Sequence, residues 1–300
     1  MRLIKPSFEI IEQDPGIDGL NKHIELCGRN AYKSEDKITN DSAIVFVDKI
    51  CKAKHGSVLE HGTVYLKKDI TDFTDIVKAV EFTRFYINNP YSRYSVINNK
   101  YEIITTNYRV LKDNNRLDDL QYMCEPTEYH EKRVSVRFVC SRAISHELVR
   151  HRVFTFTQES QRYCNYSKDK FGKDITFIIP EWCPEIEPGD DTAYLNVIDT
   201  YDNIYLSSLK HAESAYLDLL KQWDEKIPDK RYASGFRNNP WTPQQAREVL
   251  PNSTKTDIIM TGFVSDWKHF FELRTVENAH PEMRRLVIPL KEEFIKRGYL

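Results

Sequence analysis

Residues 134–163 read VSVRFVCSRAISHELVRHRVFTFTQESQRY, and three patterns follow one another in this stretch. Apolar and polar residues alternate from Val134 to Val139, which predicts a strand with two different faces. Residues 143–149 have a helical pattern, and a helix continuing beyond them would place Glu147, Arg150 and His151 on one face. The stretch therefore combines a strand, a helix and a dense group of polar side chains.

The polar group at the end of this stretch suits a phosphorylated ligand. It contains Arg150, Arg152 and Arg162, together with a histidine and several hydroxyl and amide side chains. Guanidinium groups bind phosphate through two parallel hydrogen bonds, so three of them in a short span favour an anionic partner. A solvated charged face or a nucleic-acid-binding patch has a similar composition, and the residues alone leave these alternatives open.

A second polar cluster, HGSVLEH at residues 55–61, precedes a predicted strand that begins at Thr63. Two histidines and a glutamate could bind a metal, but zinc sites usually have three or four ligands with supporting hydrogen bonds. A structural role, with Glu60 or His61 capping a turn, is the more plausible alternative. We predict no metal site.

Two arginines near the C-terminal end fall on predicted helices. Arg247 lies in a short helix from Thr242 to Leu250, which has a capping-box pattern at its start and a proline after its end. A second helix is predicted from about Thr261 to Arg274, where Arg274 continues the apolar stripe of Trp267, Phe270 and Phe271. A buried arginine needs an anionic or hydrogen-bonding partner, and a structural ion pair is the alternative to a ligand.

Composition indicates a globular protein. The 300 residues are 40% hydrophobic and 29% charged, which allows a sizeable core, and the net charge of -2 creates no general basic field. Nucleic-acid and membrane partners are therefore not expected. The N-terminus lacks a signal-peptide pattern, no apolar run could span a bilayer, and the six cysteines are scattered singly. We expect a cytoplasmic protein with reduced thiols.

No linker, repeat or low-complexity tract marks a domain boundary, so a single domain over residues 1–300 is predicted. A long core-facing helix is predicted from Tyr194 to Trp223 by its apolar spacing. Residues 69–133 are the least regular part, with a possible helix at 76–86 and a possible strand at 101–105. We interpret residues 69–133 as an insertion.

Arg150-His151-Arg152, followed after seven residues by Ser160, resembles the signature motif of the flavin-dependent thymidylate synthases, also called thymidylate synthase-complementing proteins. Residues 145–149 and 158–163 extend this resemblance, and the His55–His61 cluster is similar to another segment of the family. The resemblance covers about residues 55–68, 134–167 and 244–290.

The resemblance implies an α+β fold with an antiparallel sheet flanked by helices, the insertion lying between the His-x-Ser cluster and the Arg-His-Arg motif. It also implies a homotetramer whose subunits share active sites. The implied reaction is the reductive methylation of dUMP to dTMP. FAD is the cofactor, NADPH and 5,10-methylenetetrahydrofolate are the co-substrates, and tetrahydrofolate is released.

The resemblance assigns roles to individual residues. Arg274 is the predicted catalytic residue, acting on the uracil ring. The predicted dUMP-binding residues are Glu147, Leu148, Val149, Arg150, Gln158, Glu159, Ser160, Gln161, Arg162, Arg247 and Arg274. The predicted FAD-binding residues are His55, Ser57, Glu60, Arg150, His151, Arg152, Gln158, Phe263, Ser265 and His269.

Phe263 and Ser265 depart from the family pattern, which has asparagine and arginine there. Ser160 lacks a base and orienting partner that would activate a nucleophile, so it is assigned to substrate binding. Cys140 and Cys164 lack the flanking chemistry of a reactive thiolate, which disfavours a cysteine-based synthase.

Two alternative functions stay open. The first is a related uracil or tRNA methyltransferase with a changed substrate. The second is an RNA-binding module in which Tyr163 and Tyr166 stack on bases, although the near-neutral pI of about 6.5 argues against it.

Overall fold

A computed structural model describes residues 1–72, 76–183, 186, 188, 201–221 and 240–300. These residues group into two compact units. The smaller unit consists of Met1–Ser7, Val139–His146 and Glu159–Thr256. The larger unit consists of Phe8–Phe138, Glu147–Gln158 and Asp257–Leu300.

Helices and strands are interspersed along the chain. The strands are β1 (Arg2–Ile4), β2 (Ser7–Ile11), β3 (Thr63–Asp69), β4 (Arg93–Ile97), β5 (Tyr101–Asn107), β6 (Arg133–Ser141), β7 (Thr155–Gln158), β8 (Thr176–Ile178) and β9 (Lys255–Phe263). The helices are α1 (Gly16–Asn30), α2 (Ser42–Lys52), α3 (Gly56–Leu59), α4 (Ile76–Asn88), α5 (Tyr108–Asp113), α6 (Arg142–Leu148), α7 (Tyr201–Leu219), α8 (Pro243–Ala246), α9 (Val264–Arg274) and α10 (Pro281–Lys296).

The described strands form three sheets. One has the strand order β2-β6-β9-β7, with β7 antiparallel to β9. A second has the order β3-β5-β4 and is antiparallel throughout. The third is the parallel pair of β1 and β8. The predicted α+β class, with antiparallel sheet and helices, is therefore confirmed, although the strands are divided among three sheets.

Strand β6 follows the alternation that predicted it. Val134, Val136, Phe138 and Cys140 are all buried, whereas Arg137 between them is only half-buried. Alternate residues of a strand point to opposite faces, so this pattern gives β6 one fully apolar face. The predictions of strands at Thr63 and at 101–105 are likewise confirmed by β3 and β5, and that of a helix at 76–86 by α4.

In the larger unit, α9 and α10 supply an aromatic core. Trp267 is fully buried, and its ring centroid lies 4.8 Å from that of Phe154 and 5.2 Å from that of Phe294. Phe270 and Phe271 are also buried, as their helical spacing predicted. This packing buries one side of α9 against Phe154 and α10. A second cluster in the same unit joins α1, α2 and β3 around buried residues such as Ile24 and Val64.

In the smaller unit, α7 packs on a separate core. Tyr216 and Leu209 of α7 are buried in the same cluster as Tyr166 and Phe177. The long helix predicted from 194 to 223 is thus present over Tyr201–Leu219, and residues 194–200 and 222–223 lie outside the described residues.

Two helix predictions need correction. The helix predicted from Thr261 to Arg274 begins only at Val264, because Thr261 pairs with Thr155 in the β7–β9 ladder and residues up to Phe263 belong to β9. The helix at 143–149 ends at Leu148, so Arg150 and His151 do not lie on it. The short helix predicted at 242–250 is confirmed as α8 followed by a 3-10 turn at Arg247–Val249.

Candidate active site

Three predicted site residues meet in the larger unit, where the end of α9 faces the segment that follows α6. Arg274 Nη1 donates to Glu147 Oε2 at 2.6 Å, and Arg274 Nε donates to His151 Nε2 at 2.8 Å. We call Arg274, Glu147 and His151 the Arg274 cluster. The side chain of Arg274 is 20% exposed, so the guanidinium is shielded but still accessible.

A turn, rather than a continued helix, brings Glu147 and His151 to the same arginine. The backbone N–H of Arg150 donates to the carbonyl of Glu147, and that of His151 donates to the carbonyl of Leu148. Residues three apart are bonded, which is tighter than the spacing of four in an α-helix. Glu147 and His151 therefore lie on the same side of the chain, as predicted, but a turn and not a helix places them there.

His151 is held as a neutral hydrogen-bond acceptor. Burial, followed by the charge of Arg274, lowers the pKa of His151 to about 4. Its ring also packs edge-on against Phe270, with centroids 4.8 Å apart. Because Nε2 accepts the hydrogen bond from Arg274, the imidazole proton lies on Nδ1. The hydrogen bond to His151 thus gives the arginine a fixed orientation.

The other nucleotide residues predicted near this turn differ in accessibility. Leu148 is buried, while Val149 and Arg150 are exposed. Gln158 is half-buried at the last position of β7. Arg150 therefore offers its guanidinium to solvent, whereas Leu148 belongs to the core.

In the smaller unit, two predicted phosphate-binding arginines lie on or against the α8 region. Arg162 is exposed, and its Nε donates to Gln244 Oε1 of α8 at 2.9 Å. Arg247 begins the 3-10 turn directly after α8, 3.8 Å from Glu248. The backbone N–H of Arg162 donates to Ser160 Oγ at 3.3 Å. Arg162, Ser160 and α8 thus form one connected group.

Glu159 is predicted to contact dUMP, but its carboxylate is already engaged inside the smaller unit. It is buried, and it accepts hydrogen bonds from Lys255 Nζ at 2.8 Å and from Tyr166 Oη at 2.8 Å. Gln161 is also buried, and its Nε2 has no hydrogen-bond partner among the described residues. The carboxylate of Glu159 is thus engaged within the smaller unit, whereas the amide of Gln161 is buried with a donor that the described residues leave unpaired.

Sequence reasoning missed Arg142, the first residue of α6. Burial lowers the pKa of Arg142, and the nearby Arg247 lowers it further, while Tyr166 and Glu159 act in the opposite direction. Arg142 is half-buried in the smaller unit together with these residues. It directly follows strand β6 and begins helix α6, whereas the predicted strand ended at Val139.

A cavity of about 250 Å³ in the larger unit brings together three of the residues predicted to bind the cofactor. Glu60, Arg152 and Phe263 all line it. Arg93, Arg133 and Asp266 also line it and were not predicted. Arg133 Nε is buried and, within the described part of the chain, has no hydrogen-bond partner. Burial lowers the pKa of Arg133 to about 10, so it remains charged at neutral pH.

Four other residues predicted to contact the cofactor are exposed and do not line this cavity. His55 and Ser57 lie at the start of α3, where the Ser57 carbonyl accepts a hydrogen bond from Thr155 Oγ1 at 3.1 Å. Ser265 is in the first turn of α9. His269 lies on the outer face of the same helix, with its Nδ1 3.5 Å from Glu272 Oε2.

His61, one of the two histidines weighed as a metal ligand, is fully buried in a hydroxyl network. Its Nδ1 lies 2.7 Å from Thr261 Oγ1 and its Nε2 lies 2.9 Å from Thr157 Oγ1. Both ring nitrogens are therefore engaged. Over residues 1–72, 76–183, 186, 188, 201–221 and 240–300, no group of three or more His, Cys, Asp or Glu residues could hold a metal ion.

Among the described residues, no helix is both long and apolar enough to cross a membrane.

Similarity to characterised proteins supports the motif-based prediction. The chain is 35% identical over 148 residues to the flavin-dependent thymidylate synthase of Mycolicibacterium gilvum, which covers 49% of this chain and 51% of that protein. The same values hold for the flavin-dependent thymidylate synthase of Mycobacterium tuberculosis strain H37Rv. The chain therefore spans about half the length of the curated relatives it matches.

Two solved structures align with nearly the whole chain at low similarity. A UMP/dUMP methylase from Streptomyces cacaoi has a TM-score of 0.42 and 14% identity, with 99% of this chain and 92% of that chain covered. Thymidylate synthase X from Helicobacter pylori, solved with FAD and dUMP, has a TM-score of 0.38 and 13% identity, with 96% and 92% covered.

Comparison with a protein-family model is decisive, because the matched region contains the Arg-His-Arg motif, the α8 region and Arg274. The thymidylate synthase complementing protein model matches residues 126–297, more than half of the chain. The chain belongs to the thymidylate synthase complementing protein family.

Proposed function

We propose that this chain is a flavin-dependent thymidylate synthase that methylates dUMP to dTMP. The carbon donor is 5,10-methylenetetrahydrofolate, NADPH is the reductant, FAD is the cofactor, and tetrahydrofolate is released. Membership of the family and the names of the matched relatives support this proposal.

The Arg274 cluster is the observation on which the proposal mainly rests. A guanidinium fixed by Glu147 and His151 is a preorganised cation, and such cations stabilise negative charge that develops during a reaction. Methylation of uracil at C5 is favoured when N3 loses its proton and the ring becomes electron-rich. Arg274 would stabilise that negative charge, and the neutral His151 would hold the guanidinium in place without competing for the charge.

The cavity in the larger unit fits the cofactor chemically. FAD is an anionic molecule with aromatic rings, and the cavity offers an aromatic wall at Phe263, the guanidinium groups of Arg133 and Arg152, and a buried Arg133 Nε without a partner among the described residues. Glu60 could accept hydrogen bonds from ring or ribose groups. When bound, FAD would supply the hydride that converts the transferred methylene into a methyl group. Side chains hold and orient the reactants.

The arginines of the smaller unit would bind the nucleotide phosphate. Arg162 and Arg247 have the charge and the forked geometry for this role, and Gln161 Nε2 is a donor without a partner in the described structure. Ser160 would contribute its hydroxyl. Arg150 remains a predicted nucleotide contact, and Gln158 would orient the nucleotide or the flavin.

We further propose the cellular setting that the family resemblance implies. The chain would act as a homotetramer with shared active sites, in the cytoplasm, with the folate and NADPH as its other small-molecule partners. Residues 69–133 would be an insertion within a single domain, and the family match begins only at residue 126.

The central test is an anaerobic assay of dTMP formation from dUMP with FAD, NADPH and methylenetetrahydrofolate. We expect the wild-type protein to form dTMP. Arg274→Ala should lower the rate at least about 100-fold, the loss typical of removing one preorganised electrostatic group. It should still bind FAD, because the cavity around Phe263 is built from other residues.

Lys268→Ala is the matched control, since Lys268 is an exposed cation on the same helix. Its activity should equal that of wild type. A parallel incubation with UMP separates a thymidylate synthase from a related uracil methyltransferase. Wild-type protein that binds FAD but methylates only UMP, or neither nucleotide, would overturn the assignment of the substrate.

A further inference from the structure

Arg93 forms a stacked pair with Phe263 at the wall of the cavity in the larger unit. It is the first residue of β4 and belongs to the 69–133 segment. The central carbon of its guanidinium lies 4.1 Å from the centroid of the Phe263 ring. Phe263 is only 6% exposed, so the ring is a fixed support. The arginine therefore presents a flat surface whose orientation is set by the core.

The edges of this guanidinium are already engaged. Its Nε donates to Glu131 Oε2 at 3.1 Å, its Nη2 lies 3.7 Å from Asp266 Oδ2, and its Nη1 is 3.5 Å from the carbonyl of Ser92. The side chain is nevertheless 37% exposed. Since the edges and one face have partners, the accessible part is the outer face.

The outer face of a stacked guanidinium favours a planar aromatic ring. Arginine stacks on aromatic systems by cation–π attraction and by flat contact, and it is weakly hydrated, so little water binding is lost. The same cavity contains Arg152, whose exposed guanidinium has no ion pair within the described part of the chain. The cavity thus provides a stacking surface, on Arg93, next to the positive charge of Arg152. That combination suits a heterocycle carrying phosphate.

The segment that carries Arg93 reaches the cofactor residues at a second point. Arg109 of α5 donates to Glu60 Oε1 at 2.5 Å and to Asp113 Oδ2 at 2.9 Å. Glu60 lines the same cavity as Arg93. Arg93 and Arg109, both within residues 69–133, therefore contact residues predicted to bind the flavin.

We propose that Arg93 binds the flavin cofactor by stacking its outer guanidinium face on a planar ring of FAD, so that the 69–133 segment completes the cofactor pocket. This rests on the proposed function. It also explains the departure at Phe263 and Ser265. The aromatic side chain at 263 supports a cation that comes from another part of the chain, while Ser265 is exposed and uses its backbone N–H to bind Glu131.

The test measures binding of FAD to flavin-depleted protein by quenching of flavin fluorescence. Arg93→Gln should weaken FAD binding about tenfold, the size expected when a partly shielded cation–π contact is lost. Arg84→Gln is the matched control, since Arg84 is exposed on α4 of the same segment and outside the cavity. It should bind FAD as wild type does. Equal affinity of Arg93→Gln and wild type would overturn the inference.

Arg93→Lys separates stacking from charge. Lysine keeps the ion pairs with Glu131 and Asp266 but has no planar face, so its FAD affinity should stay below that of wild type. Thermal unfolding and circular dichroism establish that each variant is folded, and the lysine variant keeps the test valid if the glutamine variant unfolds. Wild-type affinity in Arg93→Lys would overturn the stacking role.

FMN identifies which ring is stacked, because it has the isoalloxazine but lacks the adenine. If Arg93→Gln weakens FMN and FAD equally, the ring is the isoalloxazine, and if only FAD is affected, it is the adenine. Failure of this inference differs from failure of the proposed function. If the inference about Arg93 is wrong, wild type and Arg93→Gln bind FAD with equal affinity and both form dTMP. If the proposed function is wrong, wild type binds no flavin or forms no dTMP.

Discussion

Burial holds the pKa below its ordinary value in several histidines of the larger unit, among them His23, His61 and His151. Burial, followed by the charge of Arg133, lowers the pKa of His23 to about 4, and burial lowers that of His61 well below its ordinary value. His151 is lowered to about 4 beside Arg274. His23 Nε2 lies 2.9 Å from Ser135 Oγ, and that oxygen lies 2.6 Å from Thr261 Oγ1, which contacts His61. Each imidazole is thus hydrogen-bonded in a buried position, where protonation would create an unfavourable positive charge.

This arrangement predicts loss of stability in mild acid. In the unfolded chain His23 has its ordinary pKa of 6.5, so below that pH the unfolded state takes up a proton that the folded state refuses. Stability is unaffected above pH 6.5 and falls as the pH drops from 6.5 to about 4. One such histidine contributes a slope of about 1.4 kcal/mol per pH unit in that window.

Urea unfolding at pH 7, 6 and 5 measures this effect. His23→Gln can still bond Ser135, and its free energy of unfolding should decline less steeply with falling pH than that of wild type. His211→Gln, at an exposed position of α7, should follow the wild-type curve. Parallel curves for wild type and His23→Gln would show that His23 is not held neutral.

At the scale of elements, strand β9 approaches the aromatic core more closely than a side chain would allow. A Cβ added at Gly262 would lie 2.4 Å from a ring carbon of Phe154. Phe154 is buried and packs edge-on against Trp267 at the start of α9. Glycine at 262 therefore lets β7, β9 and α9 share one packed layer beside the cavity that Phe263 lines.

Gly262→Ala should destabilise the protein by about 1–3 kcal/mol, the usual cost of overpacking a core. Unfolding in urea gives this value directly. Phe154→Leu in the same chain is the control, because a smaller side chain makes room for the new methyl group. The double variant should lose less free energy of unfolding than the sum of the losses in the two single variants. Strict additivity would show that the ring and the methyl group do not collide.

Boundaries of elements were the part of the fold that local patterns predicted least well. The stripe of Trp267, Phe270 and Phe271 correctly indicated a helix, but Thr261 to Phe263 are buried in β9, and so short a segment has no periodicity that would distinguish a strand from a helix. Pairing with β7 places this part of the chain in a strand, and the pairing joins segments about a hundred residues apart in the sequence. Sequence spacing cannot reveal such a partner.

At the scale of the whole molecule, all six cysteines are thiols and most are inaccessible. Cys27, Cys140, Cys164 and Cys183 are buried, and burial raises the pKa of Cys27 well above its ordinary value. Cys51 and Cys124 are half-buried, and burial also raises the pKa of each. Thiol reagents require a thiolate that they can reach.

The native protein should therefore react with a thiol reagent at no more than two positions, and slowly. Mass spectrometry after labelling at neutral pH should find the label on Cys51 and Cys124 only, and all six thiols should react in denaturant. Cys51→Ser should remove one labelled site and leave the other. Rapid labelling of Cys27 in the native protein would contradict this packing.

The sequence predicted which of the candidate site residues would lie together better than it described their surroundings. The Arg-His-Arg motif and the stripe leading to Arg274 identified residues that do meet in the Arg274 cluster, because the family resemblance carries long-range information. Arg93 and Arg133 were missed, since an arginine at the edge of a strand resembles an ordinary surface charge. Glu159 was assigned to the substrate, and only the structure reveals that Lys255 and Tyr166 already occupy its carboxylate.

Gly56 and Arg109 show where a change in α3 would fall on an ion pair of the 69–133 segment. A methyl group at position 56 would lie 2.6 Å from Arg109 Nε. The side chain of Arg109 is flexible and 43% exposed, so it can move aside by giving up its contacts with Glu60 and Asp113. Exposed ion pairs contribute at most about 1 kcal/mol. A larger residue at position 56 is therefore expected to cost the protein a surface ion pair and to leave its core unchanged.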